Sequence, residues 1–223
     1  MTKQLLLIDG NSIVFRAFFA MHNQMDKFTN KDGLHTAAIY GFKLMLDHVL
    51  QNFKPDTALV AFDAGKVTFR TKMYDDYKGG RNKTPNELTE QIPYVRELIK
   101  DSGLHSYELA NYEADDIIGT LAKQADDAGY KTLIVTGDRD LTQLASENTT
   151  VAVTHKGVTD TEHYTPAHVE EKLGITPRQI IDMKALMGDS SDNYPGVTKI
   201  GEKTAIKLVK QFGSVEELYD HID

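Results

Sequence analysis

Carboxylates gather at a few places in this chain. "YEADD" at residues 112–116 packs Glu113, Asp115 and Asp116 into four positions. Asp9 closes the apolar run "LLLI", Asp63 closes "ALVAF", and Asp138 and Asp140 follow "LIVTG". Asp189 and Asp192 lie in "MGDSSDNYPG" at a spacing that puts both on one helical face. Each acid alone has an ordinary reading: Asp favours turns and helix N-caps, and an acid in a first helical turn gains about 0.3–1 kcal/mol from the dipole. Brought together, they repel. Two like charges about 4 Å apart cost roughly 4 kcal/mol at an effective dielectric near 20, more than the dipole offsets over several pairs. Divalent cations can offset it. A ligand set of oxygens alone selects Mg²⁺ or Mn²⁺ over zinc. So many acids exceed the needs of one Mg²⁺, and the natural reading is two ions about 3.5–4 Å apart, the arrangement that supports in-line attack on a phosphodiester. None of the eight histidines falls in an H-E-x-x-H pattern, and none is assigned a catalytic role.

Such acids must be delivered by elements that converge. "LLLI" (5–8), "TALVAFD" (57–63), "HSYELA" (105–110), "KTLIVTGD" (131–138) and "TTVAVT" (149–154) read as strands. "DGNS" after the first reads as a turn, and "TAAIYGFKLMLDHVLQNF" (36–53) as a helix. "LTEQIPYVRELIKDSG" reads as a helix kinked at Pro93, and the helix after "YEADD" ends at Gly129. Alternating strands and helices imply an α/β fold with a mainly parallel central sheet, whose strand carboxyl ends form one ligand-binding edge. Beyond about residue 165 come only short helical segments. The expected division is an α/β domain over 1–165 and a helical lobe over 166–223.

The net charge is −8, from 25 Lys and Arg against 33 Asp and Glu, which by itself disfavours a polyanionic partner. The charge is uneven, however. Lys66, Arg70, Lys72, Lys78, Arg81 and Lys83 fall between residues 66 and 83, interleaved with Phe69, Tyr74 and Tyr77. Cations among aromatics suit a single strand, charges tracking phosphates and rings stacking on bases; a solvated loop is the plainer alternative. In "PGVTKIGEKTAIKLVKQFG", Gly196 and Gly201 flank a tight turn before a helix carrying Lys203 and Lys207, a turn that can offer backbone N–H groups to a phosphate. There is no cysteine, signal peptide or membrane-spanning run, so the expectation is a cytoplasmic protein that is not bound to a membrane.

Taken in order, "LLLIDGNSIVFRAFFA", "FDAGKVTFR…YDDYKGGR", "YEADDIIGTLA", "VTGDRDLTQL" and "MGDSSDNYPGVTKIGEKTA" closely resemble bacterial 5′-nucleases of the flap endonuclease family. The nearest group is the 5′→3′ exonuclease domains at the N-terminus of bacterial DNA polymerases. The resemblance spans nearly the whole chain. It implies a metal site built from Asp9, Asp63, Glu113, Asp115, Asp116, Asp138, Asp140, Asp189 and Asp192, holding two Mg²⁺ or Mn²⁺. It implies an arch around 66–90 that admits a single-stranded 5′ end. There Lys78 and Arg81 would contact the scissile phosphate, Tyr77 would stack, and Arg70 and Lys83 would bind DNA. Residues of about 180–212 resemble a helix–three-turn–helix element that grips duplex DNA through Gly196, Gly201, Lys203 and Lys207, often with K⁺. The implied activity is hydrolysis of DNA or RNA at flaps, nicks and single-strand/duplex junctions, RNA primers included, by a monomer. Family nuclease domains usually run past "LYDHID", which implies further C-terminal helices, and a fragment of a polymerase is favoured over a stand-alone nuclease. A phosphatase with an aspartyl nucleophile at Asp9 is the less fitting rival, since the position two residues on is Asn11 and the basic segments would go unexplained. A DNA-binding module without activity is another, and it leaves the crowded acids without a reason.

Overall fold

The computed structural model describes residues 2–21, 27–157 and 159–222. Six strands form one sheet: β1 (Gln4–Asp9), β2 (Thr57–Ala61), β3 (His105–Tyr107), β4 (Lys131–Thr136), β5 (Thr149–Lys156) and β6 (Asp160–Tyr164). Their spatial order is β3-β2-β1-β4-β5-β6, parallel throughout except for the antiparallel β5–β6 pair. The chain builds outward from β1 through β2 to β3, then returns to place β4 on the other side of β1. The winding reverses there, and such a reversal opens a crevice beyond the strand carboxyl ends. Asp9 ends β1 and Asp138 lies just beyond β4, one on each side of the reversal.

Alternation along the strands divides the core. Leu6, Ile8, Leu133 and Val135 face α1 (Gly10–Met21), α2 (Ala37–Phe53) and α5 (Ile92–Asp101). Leu7, Ile134, Val151 and Val153 face the opposite layer, built from α6 (Ala114–Asp127), α7 (Pro166–Leu173), α8 (Gln179–Met187) and α9 (Glu202–Phe212). Strands buried on both faces read as continuous apolar runs, which is why "LLLI" and "LIV" are so plain in the sequence. The C-terminal helices share this second core with the sheet through Val169, Ile180, Met183, Ala205 and Val209.

Several local expectations need correction. "DGNS" does not turn the chain away; α1 starts at Gly10, and Asp9 Oδ1 caps it by accepting the Ser12 N–H at 3.0 Å. Pro93 does not kink a helix but sits in the first turn of α5, where its missing N–H costs nothing. A separate short helix, α4 (Asn86–Thr89), precedes it. The expected strand at 105–110 is three exposed residues at the sheet edge. β6, "DTEHY", reads as no strand because it is a largely polar edge strand. The basic segment holds α3 (Phe69–Met73), and α10 (Val215–Tyr219) ends the helices.

A two-stranded ladder, β7 (Gly188–Asp189) with β8 (Tyr194–Pro195), separates the two glycines of the C-terminal turn by role. A Cβ on Gly196 would meet the Met187 carbonyl carbon at 2.2 Å and the Gly188 nitrogen at 2.5 Å, both backbone atoms that cannot step aside. A Cβ on Gly201 meets nothing within 4 Å, and this residue is the N-cap of α9 at φ −97°. We expect Gly196→Ala to cost at least about 2 kcal/mol in urea unfolding, by overpacking. Gly201→Ala should stay within about 1 kcal/mol, the usual range for an N-cap change. Equal costs would contradict this packing account.

Candidate active site

Four carboxylates stand at the sheet edge with no Lys, Arg or His in ion-pair contact among the described residues: Asp9, Asp63, Asp115 and Asp138. Three of them are nevertheless held. Asp9, 4% exposed, accepts the Ser12 N–H and, at 2.8 Å, the Thr136 hydroxyl from across the reversal. Asp63 accepts from the Asn11 amide and from the Ala114 N–H, both at 2.8 Å, so it caps the start of α6 from another segment. Asp138 accepts the Asp140 N–H at 2.8 Å and caps a 3-10 turn over Arg139–Leu144. Asp115 accepts no hydrogen bond among the described residues. Burial, together with repulsion from Asp9, Asp138 and Asp63 and against the opposing pull of Lys78, raises its pKa to about 8. Asp9 is likewise pushed up to about 6, chiefly by burial, with Asp63 and Asp138 adding repulsion.

The other five acids carry resident cations. Arg70 grips Asp116 with two bonds of 2.7 Å, and Asp116 also accepts the Glu113 N–H of its own helix start at 2.9 Å. Burial opposes the ionisation of Asp116, and the Arg70 bonds more than reverse it, holding its pKa low. Lys78 Nζ lies 2.8 Å from Glu113 Oε1, and the Tyr77 hydroxyl donates to Glu113 Oε2 at 3.0 Å and to Asp192 Oδ2 at 3.1 Å. Burial, with Glu113 and Asp192 alongside, keeps that phenol protonated far above its usual range. Arg81 NH2 is 2.5 Å from Asp192 Oδ1. Lys184, which the sequence did not single out, bridges Asp140 at 2.8 Å and Asp189 at 2.7 Å. Burial raises Asp140 to about 6, whereas Lys184 and Ser191 outweigh the burial of Asp189 and hold it well below the carboxylate range. On paper Lys184 is an ordinary helical lysine; only its five-residue lead on Asp189 hinted at the contact.

The basic segment, expected as an arch around 66–90, lies over the acids in this structure. Arg70, Tyr77, Lys78 and Arg81 lie on the acids. The segment is also pinned at both sides: Phe69 N–H donates to Asn111 O, and Lys78 N–H to Asp192 O. Lys83, Lys203 and Lys207 stay exposed. Among the described residues, no three Asp, Glu or His side chains form a ready metal-ligand shell; the acids share an edge rather than a closed cage. Their chemistry still fits a hard divalent ion, because the donors are all oxygens and Asp115 and Asp9 are pushed up by burial and, beside it, by mutual repulsion, both of which such an ion would offset.

A profile of the 5′-3′ exonuclease N-terminal, resolvase-like domain matches residues 4–174, and one of the 5′-3′ exonuclease C-terminal SAM fold matches 175–223. The chain belongs to the 5′-3′ exonuclease family. This exonuclease domain is 60% identical over 221 residues to DNA polymerase I of Streptococcus pneumoniae (strain ATCC BAA-255 / R6), and 59% identical over 221 residues to DNA polymerase I of Bacillus subtilis (strain 168). Each match covers 99% of the chain and 25% of the relative, so the chain spans about a quarter of the length of these polymerases. Its fold is shared with bacteriophage T5 5′-exonuclease bound to zinc, at a TM-score of 0.78 and 23% identity over 99% of this chain and 79% of that one. It is shared too with flap endonuclease-1 from Methanococcus jannaschii, at a TM-score of 0.62 and 21% identity over 100% and 75%.

Proposed function

We propose that the chain is a divalent-metal-dependent, structure-specific 5′-nuclease, the nuclease portion of a DNA polymerase I, cutting DNA or RNA phosphodiesters where a single-stranded 5′ end meets a duplex. The observation that carries this reading is Asp115: a carboxylate with no hydrogen bond among the described residues, set among Asp9, Asp63 and Asp138 beneath a segment bearing Lys78 and Arg81. Helix capping accounts for its neighbours but gives Asp115 no purpose. The family relatives support the fragment over a stand-alone nuclease.

In this reading Asp9, Asp63, Glu113, Asp115, Asp116, Asp138, Asp140, Asp189 and Asp192 together hold Mg²⁺ or Mn²⁺. Divalent ions held there supply Lewis acidity, lowering the pKa of water and neutralising the phosphate. The rest falls to the chain. Lys78 and Arg81 place positive charge on the scissile phosphate as its charge develops. Thr136, Ser12 and Asn11 fix the Asp9 and Asp63 carboxylates in advance. Lys184 sets the distance between Asp140 and Asp189. Gly201 leaves the N-terminus of α9 open to a backbone phosphate, with Lys203 and Lys207 on the same helix to hold the duplex. The proposal of K⁺ at this turn, and of a monomeric enzyme, follows the family resemblance, and that of a cytoplasmic one follows the sequence, which has no cysteine and no signal-peptide pattern. Among the described residues no helix is long and apolar enough to cross a membrane.

A 5′-flap duplex and a phosphate monoester, each tried with Mg²⁺, Mn²⁺, Ca²⁺ and chelator, test the reading. Flap cleavage should need Mg²⁺ or Mn²⁺ and stop with chelator, and Ca²⁺ should permit binding with little turnover because its looser coordination positions the reacting groups poorly. Full cleavage in verified metal-free buffer would sink the metal account. Monoester hydrolysis without flap cleavage would favour the phosphatase.

A further inference from the structure

We propose that residues Tyr77–Arg81 form a latch, which the carboxylates of the site hold shut in the metal-free chain and which a divalent cation opens by claiming Glu113 and Asp192. The inference rests on the reading that these acids form a metal site. Both oxygens of each of the two carboxylates carry a donor from the segment. Lys78 Nζ takes Glu113 Oε1 at 2.8 Å, Tyr77 OH takes Glu113 Oε2 at 3.0 Å and Asp192 Oδ2 at 3.1 Å, and Arg81 takes Asp192 Oδ1 at 2.5 Å. Two further ties complete the closure: the Lys78 N–H to Asp192 O at 2.9 Å, and the Asn193 side-chain amide to the Asp76 carbonyl at 3.0 Å.

Beyond these, Arg81 Nε donates to Ser191 O at 3.3 Å and the Tyr74 ring meets Tyr194 edge-on, but the segment has no buried anchor. Asp75, Asp76, Gly79, Gly80, Arg81, Asn82 and Lys83 are exposed, and no residue from 74 to 83 is buried. Lys78 sits at φ +57°, in the left-handed region that a side chain rarely adopts, so the closed form is also strained. The latch spans the site, from Glu113 before α6 to Asp192 in the turn between β7 and β8. A cation entering beside Glu113 or Asp192 meets the Lys78 and Arg81 charges there and repels them. Freed, those two side chains become available to phosphate. Metal therefore binds first and nucleic acid second, and the charges meant for the phosphate are stored on the metal's own ligands until it arrives.

The test is amide hydrogen exchange of this chain, read by mass spectrometry in chelator and in Mg²⁺, with calorimetric titration of Mg²⁺ on the same sample. With Mg²⁺, amides of residues 77–82 should exchange at least about ten-fold faster, while those of β1 and β4 do not speed up. Arg81→Gln leaves every carboxylate in place. It should exchange fast already in chelator, respond little to Mg²⁺, and bind Mg²⁺ at least about three-fold more tightly, since coupling between two sites is reciprocal. Lys83→Gln removes the same charge from an exposed position and should match the parent in both measurements. If Mg²⁺ binds with measurable heat but exchange over 77–82 is unchanged or slower, the latch is wrong and the metal site stands. If Mg²⁺ does not bind at all, the site reading fails and the latch fails with it.

Discussion

Asp115→Asn should stabilise the metal-free chain and Asp116→Asn should destabilise it, although the two acids are neighbours in "YEADD". The sequence alone suggests that either change relieves crowding and stabilises; the structure separates them. Among the described residues Asp115 accepts no hydrogen bond, and burial beside Asp9, Asp138 and Asp63 lifts its pKa to about 8. An amide keeps the shape and removes the charge, so we expect a gain of about 2 kcal/mol at pH 8 in chelator. The sign of the pH dependence follows. With a folded pKa raised above its unfolded value near 3.8, the unfolded state binds fewer protons between the two values, and Asp115 destabilises the fold increasingly as pH rises from about 4 to about 8. The gain from Asp115→Asn should therefore shrink steadily as pH is lowered through that window. Asp116 is the reverse case. It holds Arg70 through two bonds of 2.7 Å and accepts the Glu113 N–H, and its pKa is lowered. Its contribution is present above the unfolded value of 3.8 and is lost below it. Asp116→Asn should cost about 2 kcal/mol at neutral pH, the penalty for taking the doubly bonded carboxylate from a partly buried Arg that keeps only Glu113, 3.5 Å away. Asp115→Asn should also remove most cleavage, by more than the roughly 10–100-fold typical of partners outside a metal's ligand shell. Urea melts of both variants at pH 8 and pH 5.5 decide the matter. If Asp115→Asn melts lower than the parent in chelator, the acid serves its helix and the metal reading loses its main support.

What the sequence made legible follows from how each signal arises. Strands buried on both faces write themselves as apolar runs, and an acid closing such a run must lie at the carboxyl edge of a parallel sheet, so Asp9, Asp63 and Asp138 could be gathered on paper. The start of α1 could not be read, because an Asp before Gly and Asn signals a turn and a helix cap equally, and Asp9 serves as the cap. β6 was hidden because an edge strand needs only one packed face. The pairings of the basic segment were hidden for a different reason. Arg70 and Asp116 lie 46 residues apart, and Arg81 and Asp192 lie 111 apart. Composition shows that a region is basic but not which acids it will lie against once the chain closes. Lys184 was missed on the same ground.

Lys78→Ala should slow cleavage by about 10²–10³-fold at saturating enzyme while changing duplex affinity by no more than about three-fold. Its side chain is 22% exposed and its ammonium lies inside the site on Glu113, so it can serve the reacting phosphate but scarcely the distant duplex. Lys203 and Lys207 are exposed on α9, so their loss should act the other way. Each Ala there should weaken duplex binding and reduce the slope of log affinity against log salt by about 1, with the cleavage rate at saturation nearly unchanged. Binding is measured in Ca²⁺ and cleavage in single turnover with Mg²⁺, which separates affinity from chemistry. One confusion must be removed, because Lys78→Ala also strips Glu113 of a partner. Glu113 keeps the Tyr77 hydroxyl at 3.0 Å and Arg70 at 3.5 Å, so the carboxylate is not left bare. Lys78→Arg offers the finer control. It restores the charge without the compact ammonium, and it should recover part of the lost rate if charge at the phosphate is what matters. A Lys78→Ala variant whose only defect is weaker duplex binding would move this residue from the chemistry to the grip.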